Sequence, residues 1–171
     1  MRKASLHRCA GHWPENQATG TVTLDFDARH RRRIRLTADH GEDVLLDLAK
    51  TVAMADGDGL QLDDGRWFRI TAAAESLVEV RHADRHQLMR LSWHLGNRHL
   101  PTEIHEEALR IRPDHVIEEM LHGLGAALDK VQAAFQPEGG AYGVTHNHDH
   151  HHNDDHDHQD HRHDDGAHHH A

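Results

Sequence analysis

The side chains best able to do chemistry are crowded at the C-terminus. Between His146 and Ala171 stand twelve histidines and seven aspartates, with one arginine and no apolar side chain larger than alanine. The whole chain holds 23 histidines in 171 residues. Neutral imidazole is a favoured ligand for zinc, nickel and copper, so this composition points to transition-metal binding. The densest stretch, His146-x-His148-x-His150-His151-His152, lets rings converge on an ion without a built pocket. Interleaved aspartates add oxygen donors and a negative potential that concentrates divalent cations. Such a tract follows intrinsic affinity and metal availability more than geometry. It has nothing to bury and cannot offset the entropy of ordering its backbone, so a disordered tail is expected. Fully extended, it would reach roughly 80 Å at about 3 Å per residue.

Outside the tail, His115 is the leading candidate. It follows Asp114 at the start of an expected helix. Unpaired N–H groups there make a positive environment that favours the neutral, ligating ring. One histidine makes no metal site, but a two-fold dimer would bring two copies together across its axis. Other candidates are weaker. His82 and His86 are four apart, yet a helix opening at Asp84 leaves His82 outside it. Glu119 and His122 have the spacing used by dinuclear sites in four-helix bundles; no bundle is expected, so both are read as solvent-facing. His105-Glu106-Glu107 lacks the second histidine of a zincin. There is no nucleophile elbow, Walker A loop or G-x-G-x-x-G, so an enzyme is not expected.

Charge and cysteine usage narrow the class. Formal net charge is −10, of which −6 lies in the tail and −4 in residues 1–145. That balance argues against nucleic acid as a partner. The five arginines between Arg29 and Arg35 are read as a solvated face. Cys9 is the only cysteine, so no intramolecular disulfide can form and thiolate metal sites are nearly excluded, which suits a reducing compartment. The N-terminus lacks an apolar signal-peptide core and no apolar run is long enough to span a bilayer. A cytoplasmic protein without membrane contact is expected.

The elements that must position these residues follow from periodicity. Residues 20 to about 72 alternate with period two: Val22, Leu24 and Phe26; Ile34 and Leu36; Val44, Leu46 and Leu48; Leu60 and Leu62; then Trp67 to Ile70. Ser76 to Val80 reads as a strand. Asp84 can cap a helix to about Leu95 with Leu88, Leu91 and Leu95 as its stripe and Gly96 as the left-handed terminator. Thr102 to His105 and Ala108 to Arg112 read as short strands. Pro113-Asp114 opens a second helix with Val116, Ile117, Met120, Leu121 and Leu124 on its apolar side, ended by Gly123 and Gly125. Leu128 to Phe135 supplies a last strand. The expected class is α+β: a small all-β domain over residues 1–74, a ferredoxin-like βαββαβ domain over 75–137, and the flexible tail over 138–171.

Three segments carry a more specific likeness. The run Trp93-His94-Leu95-Gly96-Asn97-Arg98-His99-Leu100-Pro101-Thr102-Glu103-Ile104, the Asp114-His115-Val116 step and Phe135-Gln136-Pro137-Glu138-Gly139-Gly140-Ala141-Tyr142-Gly143 closely resemble the UreE urease accessory family. The match extends over essentially the whole chain, His-rich end included. The resemblance implies a cytoplasmic nickel chaperone for urease maturation. Such proteins form homodimers through the ferredoxin-like domain and work with the GTPase UreG and the urease apoprotein complex. The family's interfacial metal-binding histidine falls on His115, and further ligands fall on His146 and His148. The N-terminal β domain is implied to bind peptide or partner. Zn²⁺ or Cu²⁺ would compete with Ni²⁺. Family members differ in tail length, so the tract reads as a loading arm, and the Gly96-Asn97-Arg98-His99 loop reads as shaping the fold. Two other classes stay open on the residues alone: a general store for zinc, copper and nickel, and a metal-dependent hydrolase, which would need a ligand cluster that the pattern does not reveal.

Overall fold

A computed structural model describes residues 1–139, and it is mixed α and β. Six strands build the first sheet: β1 (Arg2–Arg8), β2 (Ala18–Leu24), β3 (Arg33–Thr37), β4 (Asp43–Asp47), β5 (Gly59–Leu62) and β6 (Trp67–Ala72), in the order β2-β6-β5-β1-β4-β3. The sheet curls until its ends approach: Asp39, just past β3, donates its N–H to Thr21 O, and its carboxylate accepts from the Thr23 N–H and hydroxyl on β2. Val22, Leu24, Val44, Leu46, Leu60, Leu62, Phe68 and Ile70 point inward, as alternation requires. Each leucine-sized side chain buried this way contributes about 2 kcal/mol.

β1 has no counterpart in the alternation pattern, although it sits in the middle of the sheet, parallel to β4 and antiparallel to β5. Its sequence, RKASLHR, sends only Ala4 fully into the core. Backbone pairing with two neighbours holds it, and that is invisible to a hydrophobic pattern.

The second sheet contains β7 (Ala74–Arg81), β8 (Glu103–Ile104), β9 (Leu109–Ile111) and β10 (Ala127–Ala134), with α1 (Arg85–Asn97) between β7 and β8 and α2 (His115–Gly123) between β9 and β10. The order from Ala74 is therefore βαββαβ, and the sheet runs β10-β7-β9-β8 with every pair antiparallel. Val78, Val80, Leu109 and Ile111 pack under Leu88, Leu91 and Leu95 of α1 and Leu121 of α2. Asp84 caps α1, its carboxylate accepting the His86 N–H. Trp93 is 63% exposed, off the buried stripe.

Two expectations fail for reasons of packing. Gly96 does not terminate α1; it lies inside the helix, and His99 takes the left-handed conformation at φ 56°. The N–H of Leu100 returns to Leu95 O and the Arg98 guanidinium donates to His94 O, so the last carbonyls are satisfied three residues later than a glycine rule implies. The half-buried Leu100 packs against the second core, which offsets the roughly 1–2 kcal/mol cost of a left-handed non-glycine residue. Arg29 also departs from the solvated-face reading. It is 2% exposed, donates to Met54 O and to Phe135 O, and its Nε has no partner among the described residues.

Phe135 lies just after β10, so the Arg29 contact ties the second sheet to the first. Phe26 packs edge-on against Phe135 at 5.2 Å, Gln136 Oε1 accepts the Asp56 N–H, and Arg112 pairs with Asp27. Among the described residues no helix is long and apolar enough to cross a membrane.

Candidate metal-binding site

His115 is the first residue of α2 and is exposed. β9 leads through Arg112 and Pro113 to Asp114, whose extended backbone and side chain cap the helix. The Asp114 carboxylate accepts the N–H groups of Val116 at 3.0 Å and Ile117 at 3.1 Å, and Glu118 Oε1 accepts the Asp114 N–H at 3.1 Å. The helix start therefore presents two carboxylates beside His115 and not a set of free N–H donors, which corrects the expectation of a positive environment. Replacing Asp114 by alanine is expected to cost about 1 kcal/mol of stability in chemical denaturation. A cost near zero would mean that water serves these donors as well.

The apolar side of α2 is narrower than its sequence stripe. Leu121 is buried, and Ile117 and Met120 pack against the second core, which fixes the rotation of the helix. Val116 stays 59% exposed and Leu124 is also exposed. His115 and Val116 thus form an open polar–apolar pair. The ring can ligate, but among the described residues it belongs to no group of three potential ligands. A cleft of about 400 Å³ lies beside the helix start, lined by residues including Leu100, Ile111, Pro113 and Ile117.

The remaining candidates divide simply. His82 lies outside α1 and its Nδ1 accepts the Asp84 N–H. Glu119 and His122 are exposed. His105 pairs with Glu103 at 3.0 Å. His146, His148, His150, His151 and His152 lie outside the described residues.

One cluster escaped the sequence reading. His7 near the end of β1, Cys9 just after it and Asp58 just before β5 offer ligand atoms that all lie within 4.8 Å of one another. Antiparallel pairing of His7 with Leu60 and Arg8 with Gly59 brings the two segments side by side. His7 Nε2 is 2.6 Å from Asp58 Oδ2, Ala55 N–H donates to Oδ2 at 2.8 Å, and Ala10 N–H donates to Oδ1 at 2.9 Å. Trp13 braces the same loop by donating Nε1–H to Gly57 O, its ring so close that a Cβ on Gly59 would lie 2.4 Å from it. Partial desolvation by its neighbours, then the Asp58 charge, push the thiol of the largely exposed Cys9 above its usual value, so it is protonated at neutral pH. The near-exclusion of thiolate ligands rested on counting one cysteine; a mixed sulfur, nitrogen and oxygen set needs only one. The visible signals were a His-x-Cys step and an Asp-Gly-Asp-Gly turn, each ordinary without the pairing that joins them.

Residues 4–73 match the UreE urease accessory protein N-terminal domain, and residues 75–171 match its C-terminal domain. The chain is 52% identical over 152 residues to the urease accessory protein UreE of Rhodopseudomonas palustris strain BisB18, covering 88% of this chain and 72% of that one. It is 53% identical over 142 residues to the protein of that name from Bradyrhizobium sp. strain BTAi1, covering 81% and 68%. A third, from Chelativorans sp. strain BNC1, is 50% identical over 136 residues, covering 80% and 85%.

Proposed function

The chain belongs to the UreE urease accessory protein family, which is not a family of enzymes, and from that premise we propose that it is a nickel chaperone. It delivers Ni²⁺ to the urease apoprotein while the dinuclear nickel centre is assembled. The observation that carries this reading is the tract of twelve histidines and seven aspartates appended to a chain of that family. Tail imidazoles, His146, His148, His150, His151 and His152 among them, capture the ion reversibly. Two copies of His115, one from each protomer of a homodimer, hold it at the two-fold axis together with His146 or His148. The exposure of His115 and of neighbouring Val116 supports an interface there. Residues 75–137 are the ferredoxin-like dimerisation domain and residues 1–74 the partner-binding domain, which engages the accessory GTPase UreG and the urease apoprotein complex in the cytoplasm.

Delivery needs an ion held firmly enough to be carried and loosely enough to leave. Few protein ligands at an open interface meet that need, because a partner's ligands can enter the coordination shell before the first ones depart. A closed cage would store the ion. Tail composition alone also favours a second reading, a buffer for zinc, copper and nickel, since imidazole-rich tracts discriminate poorly. Reconstituted urease activation separates the two. Nickel-loaded protein should activate the apoprotein complex in the presence of enough chelator to silence free nickel. Activation no better than with an equal amount of free nickel would sink delivery and leave buffering.

A further inference from the structure

We propose that His7, Cys9 and Asp58 form a separate site for a borderline divalent cation, with Zn²⁺ the best match. The site is independent of the nickel route through His115. The three donors are an imidazole nitrogen, a thiol sulfur and a carboxylate oxygen, mutually within 4.8 Å. Tetrahedral zinc with bonds of about 2.0–2.3 Å separates its ligands by roughly 3.5 Å. Closing the trio on an ion therefore needs a shift of little more than about 1 Å. Rotation of the exposed Cys9 side chain can supply it.

The frame for the ion already exists. Asp58 is held by two backbone donors, Ala10 N–H on Oδ1 and Ala55 N–H on Oδ2. Each carboxylate oxygen has two lone pairs, so Oδ2 can keep the Ala55 bond and offer its other lone pair to a metal. That lone pair now meets His7 Nε2 at 2.6 Å. An ion entering between them replaces the hydrogen bond: His7 presents its Nε2 lone pair as the Nδ1–H tautomer, and the Cys9 proton leaves to solvent. Thiolate and carboxylate together neutralise the divalent charge, which suits a site whose Asp58 is buried. The donor set decides the class of ion. Magnesium and calcium call for oxygen ligands, whereas zinc accepts all three donors and leaves a fourth position open to water.

Cys9 is the only cysteine in the chain, which makes the site separable by spectroscopy. Full-length protein, stripped of metal and reduced, is titrated with Co²⁺ under anaerobic conditions. A thiolate ligand produces a near-ultraviolet sulfur-to-cobalt charge-transfer band that imidazole and carboxylate sites, including the tail and His115, lack. The expected result is a saturable band that Zn²⁺ bleaches, that is lost in Cys9→Ser, and whose midpoint rises at least about tenfold in His7→Ala. His7→Gln keeps a hydrogen bond to Asp58 while removing the ring, and it gives the same rise if the shift reflects ligation and not a loosened turn. No band, a band that survives Cys9→Ser, or a midpoint shift below about tenfold in either His7 variant overturns the site.

Discussion

Replacing His115 by alanine is expected to remove about one tightly held nickel ion per dimer while the ions bound by the tail persist. Calorimetric titration of the full chain should lose its tightest phase and keep the weaker ones. The fold should survive, because His115 is exposed and the α2 cap is made by Asp114 and Glu118. Cutting the chain after residue 139 should do the reverse, removing the many weak ions and weakening the tight one only where His146 or His148 completes it. A His115→Ala chain that keeps its tightest phase would place that ion elsewhere. Acid gives an independent reading of the same chemistry. Imidazole in general takes up a proton in mildly acidic solution, and a protonated ring cannot ligate. Twelve added protons would move the tail from −6 to +6, so binding and cation attraction vanish together. Nickel loading should be full at neutral pH and nearly absent at about pH 5. Unchanged loading in acid would contradict histidine ligation.

Arg29→Ala is expected to destabilise the fold by about 3–5 kcal/mol, because a buried guanidinium that serves two carbonyls is lost. The guanidinium bonds the carbonyls of Met54 and Phe135, and truncation leaves both without a donor in a buried place. Burial pushes Arg29 below the usual arginine value, with Glu75, Asp56, Asp25 and Asp58 pulling it back up, so the charge is sustained by surrounding carboxylates. Those carboxylates would then repel one another without their counter-ion. For a chain of this size the loss corresponds to a fall in melting temperature of about 10 °C. Arg29→Lys, with one compact ammonium in place of a fork, should recover only part of it. A melting temperature within about 2 °C of the unaltered chain would show that water replaces the guanidinium at no cost.

Much of the scaffold was legible because its signals are local. Leu88, Leu91 and Leu95 mark α1 by spacing alone, Asp84 and Asp114 mark the helix starts, and alternation in Val22–Leu24 and Val44–Leu46 marks strands. What escaped depends on partners distant in sequence. β1 has too few apolar residues to announce itself, and it is a strand because β4 and β5 flank it. Arg29 sits in an arginine run that looks solvated, and only Met54 and Phe135 reveal otherwise. The αL residue at His99 shows that a favourable Leu100 contact outweighs a glycine preference.

The sequence by itself determined which ligand atoms are on offer: donor type and charge are properties of composition, and the twelve tail histidines supply imidazole nitrogens. It also determined that His115 opens a helix, since the cap and stripe lie within a few residues of it. Tertiary structure alone decided that His115 faces solvent, because the rotation of α2 is set by Ile117 and Leu121 meeting the sheet. It alone brought His7, Cys9 and Asp58 together, because the pairing of β1 with β5 joins segments some fifty positions apart in the chain. Such approaches arise from closing loops and burying shared surface, and no local pattern encodes which loop will close.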